Sequence, residues 1–179
     1  MTCRCAPGLE AILTGAGFTV EARHTYLVCE PGALRIPPSP SHIDLLEPST
    51  AGERAALISA QNEAFGGDAD ASGADVSRLR NLQEAGGVAV SAVTADGRCA
   101  GGGQAGPPND AISEVVGIAV RAAYRRQGLA GAITAEITQR LFAGGTQIAW
   151  LEASGEGSWR VYERIGYRPA GERLYIALR

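Results

Sequence analysis

The chain of 179 residues contains no lysine; all sixteen of its basic residues are arginine, so it carries no side-chain amine. Histidine is limited to His24 and His42, and cysteine to Cys3, Cys5, Cys29 and Cys99. The closest cysteine pair is separated by one residue, whereas paired structural zinc ligands usually stand two to four residues apart and need partners that two histidines do not supply. This excludes a built-in metal centre and leaves reduced cytosolic thiols as the reading. No stretch reaches the roughly 18 uninterrupted apolar residues of a membrane span. The opening MTCRCAPGLE lacks the apolar core of a secretory signal, and the chain is read as cytoplasmic. Nor is there an excess of positive charge: a net charge of −3 and a pI near 5.4 leave no basic face for nucleic acid.

What is present fits one globular domain with some extra length. RIPPSPS (Arg35 to Ser41) packs three prolines into four residues, which favours a stiff extended connector. It separates a short N-terminal α-β arm, residues 1–36, from a main domain at 41–179. In the main domain HIDLLEP reads as a strand, and STAGERAALISAQNEAF as a helix capped by Ser49 or Thr50 with Glu53 in its first turn. The loop GGDADASGAD precedes a second short helix, VSRLRNLQEA. GVAVSAV and CAGGGQAG form a hairpin around Asp96-Gly97, and AISEVVGIAV is a further strand. Leu129, Ile133, Ile137 and Leu141 place one apolar stripe on a helix that ends at Gly144-Gly145. A strand (TQIAWLEA), a helix (SWRVYERI) and one or two closing strands (YRPAGERLYIALR) follow. This order predicts an α/β architecture, an α+β mixed sheet with helices on both faces. In the arm, Gly17, Phe18 and Tyr26 match Gly166, Tyr167 and Tyr175 at one constant offset. The arm therefore reads as the remnant of a second copy, or as chance similarity. As a remnant it would add a strand to the main sheet or to a neighbouring chain's sheet, which would make a homodimer.

GGGQAG (Gly101 to Gly106) satisfies the dinucleotide pattern in form only. A helix should follow at once, and Pro107-Pro108-Asn109-Asp110 follows instead, so the glycines read as a bulge or close backbone approach. The stretch YRRQGLAGAI (Tyr124 to Ile133) is different. It joins a strand to a helix through a glycine, and helix-start amides at the positive end of a helix dipole are where proteins hold phosphate.

With this loop and the tail together, the sequence resembles the GNAT superfamily of acyl-CoA N-acyltransferases over about residues 41–179. Arg125, Gly128 and Ala130 fit that family's phosphate-loop signature, and Tyr162, Gly166 and Tyr167 fit its tyrosine and glycine-aromatic signature. The resemblance implies a GNAT-like fold and acetyl-CoA as cosubstrate, with no metal. The diphosphate of coenzyme A would be held by amides from about Arg126 through Gln127, Gly128, Leu129 and Ala130 to Gly131. Arg125 or Arg126 would add charge, and the backbone of Ile118, Ala119 and Val120 would pair with the pantetheine. It also implies Tyr162 as the proton donor to the leaving thiolate, with a simply packed tyrosine as the alternative. The family's frequent asparagine seven residues before that tyrosine is Gly155 here, with Ser154 beside it as a substitute contact, and RAAY replaces a more usual proline-containing turn.

A lysine-like amine has a pKa of about 10.4, so a base is useful at neutral pH. Glu114 is the candidate: strand alternation places it on one face with Val116, Ile118 and Val120. A solvated strand end is the competing reading, and Glu152 is the substitute base. Asp68, Asp70 and Asp75 would attract a cationic acceptor or merely be solvated. The implied function is N-acetylation of a small-molecule or peptide amine. A non-catalytic acyl-CoA-binding or interaction module is the rival.

Overall fold

The computed structural model describes residues 8–38, 40, 42–153 and 156–178, with the side chains of residues 156–158 excepted. Cys3, Cys5, Ser154 and Gly155 lie outside the described residues. Seven strands form one sheet in the order β2-β3-β4-β5-β6-β1-β7. They are β1 (Phe18–Cys29), β2 (Ile43–Leu46), β3 (Val88–Thr94), β4 (Cys99–Ala105), β5 (Ile112–Val120), β6 (Ile148–Ala153) and β7 (Arg168–Leu178). The helices are α1 (Leu9–Gly15), α2 (Ala51–Ala64), α3 (Gly73–Glu84), α4 (Leu129–Ala143) and α5 (Glu156–Arg164). All neighbouring strands are antiparallel except β5 and β6.

Local chemistry sets the helix starts. Thr50 Oγ1 accepts from the Glu53 amide, while the Glu53 carboxylate accepts from the Thr50 and Ser49 amides at 2.9 and 2.7 Å. Those bonds, Thr50's first, hold the Glu53 carboxyl down at about 2. Ser72 and Asp75 repeat the arrangement, so α3 starts at Gly73, ahead of the predicted Val76. Asp75 is thereby a capping residue, further tied to Arg78. The stripe of Leu129, Ile133, Ile137 and Leu141 is buried as predicted, and α4 ends at Gly144.

Two helices approach β4 closely. A Cβ on Gly102 would collide with Leu57 of α2, and one on Gly103 would collide with Ile118 of β5 and crowd Ile137 of α4. This locates α2 and α4 on opposite faces and explains the glycine run as close packing. The arm does not lie apart. Its strand β1 sits inside the sheet, antiparallel to both β6 and β7, with Leu27 and Cys29 fully buried. Beyond it the Arg35 amide donates to Ile165 O at 3.0 Å. A side chain at Gly166 would strike the Ala33 carbonyl, so glycine there is needed both for its φ of 103° and for space.

Candidate active site

After β5 the chain makes one tight turn at Ala122–Tyr124, then passes through Arg126 (φ 63°) and Gly128 (φ 79°) into α4. Gly128 caps α4 without a side-chain bond. An α-helix leaves its first amides without intrahelical partners, and here they open onto a cavity of about 580 Å³ bordered by Arg126, Gln127, Ala130, Arg164 and Pro38. Leu129 is 2% exposed and belongs to the core as well as to this wall. Arg125 borders the cavity with its guanidinium committed to the backbone: its Nε donates to Val120 O at 3.0 Å and a terminal nitrogen to Ala64 O at 3.2 Å, fastening the loop to the last turn of α2. Arg126 and Arg164 stand with Arg125 on the cavity wall, and Arg164 was not singled out from the sequence. The proline connector, through Pro37 and Pro38, forms part of the same wall.

The parallel pairing of β5 with β6 covers only Ile112 to Glu114 against Ile148 to Trp150. Beyond it the strands part, leaving a gap of about 300 Å³ bordered by Glu114, Gly117, Ile118, Glu152, Tyr162 and Phe65. A bulge shapes the gap. Two residues, Gly117 and Ile118, oppose the single Gly103 of β4, with Gly117 at φ 65° and its carbonyl accepting from Gln61 at 2.8 Å. The extra residue breaks the alternation on which Glu114 was to share a face with Ile118 and Val120. Ile118 meets α4, while Gly117 faces Gln61 of α2. Glu114 and Val116 thus stand on the α2 side, and Ile118 and Val120 on the α4 side. Tyr162 enters from α5 in edge contact with Tyr167, and burial pushes its phenol above the ordinary value.

A model of the acetyltransferase (GNAT) family matches residues 54–167, well over half of the chain. The chain belongs to the GNAT family. Members of this family transfer an acyl group from acyl-CoA to an acceptor. A GCN5-related N-acetyltransferase from Kribbella flavida is 30% identical, with a TM-score of 0.75 over 95% of this chain and 63% of that one. One from Sphaerobacter thermophilus has a TM-score of 0.76 at 17% identity, covering 98% and 56% of the two chains. A tandem GNAT protein from the clavulanic acid biosynthesis pathway has a TM-score of 0.72 at 14% identity, over 98% and 59%. This chain therefore spans about three fifths of the length of these GNAT structures. No curated protein matches it.

The GNAT sheet also carries a polar cluster that sequence reading did not assemble. Glu152 accepts from Tyr175 Oη at 2.7 Å and from Arg173 at 2.7 Å, and its second contact on Oε2 is His24 Nδ1 at 3.2 Å. Burial alone would raise the Glu152 carboxyl, but these three hydrogen bonds outweigh it and hold it below the usual range. Glu114 has Arg173 at 3.8 Å. Burial raises its carboxyl, with Arg173 opposing and Glu152 adding to the rise. His24 and Arg173 are register partners on β1 and β7. Their alternation with Tyr26 and Tyr175 is visible in the sequence; that the arm strand lies beside β6 is not. Among the described residues no three His, Cys, Asp or Glu side chains form a metal-holding group, and no helix is long and apolar enough to cross a membrane.

Proposed function

We propose that the protein is an acetyl-CoA-dependent N-acetyltransferase acting on a primary amine by direct attack. The observation that carries this reading is that the α4 cavity and the β5–β6 gap both border β5, the gap along Glu114 to Ile118 and the cavity at Val120, two residues further on. The diphosphate lies on the amides from Arg126 to Gly131, with Arg126 and Arg164 as counter-charges. The pantetheine follows the backbone of Ile118, Ala119 and Val120. The thioester then reaches the bulge at Gly117 and Ile118.

Tyr162 protonates the departing thiolate. Its burial keeps the phenol protonated at neutral pH, the form in which it can donate. Glu114 takes the proton from the attacking amine. It is favoured over Glu152 because both Glu152 oxygens are already engaged, whereas Glu114 has a raised carboxyl and one distant cation. The acceptor approaches from the α2 side, past Phe65.

Titration calorimetry with coenzyme A and a thiol-release assay with acetyl-CoA over a panel of amines test the proposal. Micromolar binding and amine-dependent thiol release are expected. Failure of a folded sample to bind coenzyme A would overturn the reading; binding without release to any amine would reduce the protein to an acyl-CoA-binding module.

A further inference from the structure

Next to Glu114 the sheet presents a cleft of about 400 Å³ whose floor is Tyr26, Val28, Ile112, Ile148 and Trp150, with Glu172 and Arg173 at one side. The floor comes from three adjacent strands: β5, β6 and the arm strand β1. Trp150 is the register partner of Glu114 across the parallel pair, so the indole and the carboxylate stand side by side on the face that carries Glu152. Tyr26 meets Trp150 edge to face at 6.4 Å. Helix α1 lies over the opposite face of β1, tied through Glu10 to Arg23, which alternates with His24 and Tyr26.

We infer that this aromatic cleft is the acceptor subsite, and that the acceptor is a monoamine with a one- or two-ring or short aliphatic body, its nitrogen at Glu114 and its body on Trp150 and Tyr26. The inference rests on the acyl-transfer reading and adds the substrate class. Two observations select this occupant. Two carboxylates, Glu114 and Glu152, stand together at the end nearest the thioester gap, which complements an amine there, while Glu172 lies at the rim beside Arg173. Along the body the only charged group over the indole is the Arg173 guanidinium, 5.7 Å from the ring centroid. The floor itself is built of Tyr26, Val28, Ile112, Ile148 and Trp150, so a second ammonium laid on it, as in a polyamine, would lose hydration over an apolar surface. A volume near 400 Å³ holds a ring system and is small for a folded segment.

The experiment is a comparison of kcat/KM for ethylamine, putrescine, hexylamine, 2-phenylethylamine and tryptamine with acetyl-CoA, for wild type, Trp150→Ala and Tyr26→Ala. Binding of each amine without thioester is read in parallel from Trp150 fluorescence in a Trp159→Phe background. Hexylamine and the two arylalkyl amines should exceed ethylamine and putrescine by about 10- to 100-fold, as burying several methylenes or a ring allows. Trp150→Ala should shrink that ratio to about threefold or less while coenzyme A affinity shows the fold intact. Equal or better use of putrescine, or an undiminished ratio in Trp150→Ala, would overturn the assignment. So would a dimer in sedimentation that Trp150→Ala dissociates, because the cleft would then be a contact between copies. Fluorescence quenching by phenylethylamine with no turnover of any amine would retain the amine site and sink acyl transfer instead.

Discussion

Glu114 and Glu152 stand one strand apart on the same face, yet their surroundings push them in opposite directions, and such separation is how proteins assign acid-base roles. With its carboxyl above the ordinary 4.5, Glu114 becomes a competent base only as pH rises through that higher value. The acid limb of kcat/KM should therefore lie above 4.5, and Glu114→Gln should abolish the limb along with most of the rate. Arg173→Gln removes the cation that lowers Glu114, so the limb should move further up. A pH-rate series on the three proteins checks both signs. Tyr162→Phe should lower kcat by about 10²-fold, in the range of a lost proton donor, with coenzyme A affinity unchanged by calorimetry.

At the scale of elements, the bulge in β5 is the feature on which the gap depends. Gly117→Ala would place a Cβ 2.6 Å from Gln61 Nε2 at a backbone angle that β-carbons disfavour. A loss of about 2 kcal/mol by urea denaturation is expected from the left-handed backbone and the disturbed hydrogen bond. KM for acetyl-CoA should rise with it. Gln61→Ala keeps the backbone and loses only the bond to Gly117 O, so about 1 kcal/mol is expected. A ranking of the two in the other order would mean that the bulge does not depend on glycine.

For the whole molecule, the arm is part of the fold. Removing residues 1–36 would strip β1 from between β6 and β7, expose two strand edges and delete the buried Leu27 and Cys29. Unpaired edges template aggregation, so the truncated protein should be insoluble or fail to bind coenzyme A, as soluble yield and calorimetry would show. We propose that the arm is the closing helix-strand unit of a second GNAT copy. α1 and β1 are joined at Gly17 (φ 93°) as α5 and β7 are at Gly166 (φ 103°), each glycine followed by an aromatic residue.

Much of this was legible in the chain. The Thr50-Glu53 box, the period-four stripe on α4 and the left-handed glycine before it are local signals, because capping and helix burial depend on neighbours within a few residues. The strand-loop-helix seam at Arg125 to Gly131 marked the cavity for the same reason. What only tertiary structure decided depends on registers between distant strands. The bulge that moves Glu114 away from Ile118 arises where two residues oppose Gly103, and the guanidinium of Arg125 is engaged by Ala64 O of a helix 61 residues away. The insertion of β1 beside β6 brings His24 and Tyr26 to Glu152 and Trp150 across more than a hundred residues. Sequence periodicity tells which side chains share a face of one strand; which strands lie side by side, and in what register, is set by packing of the whole sheet.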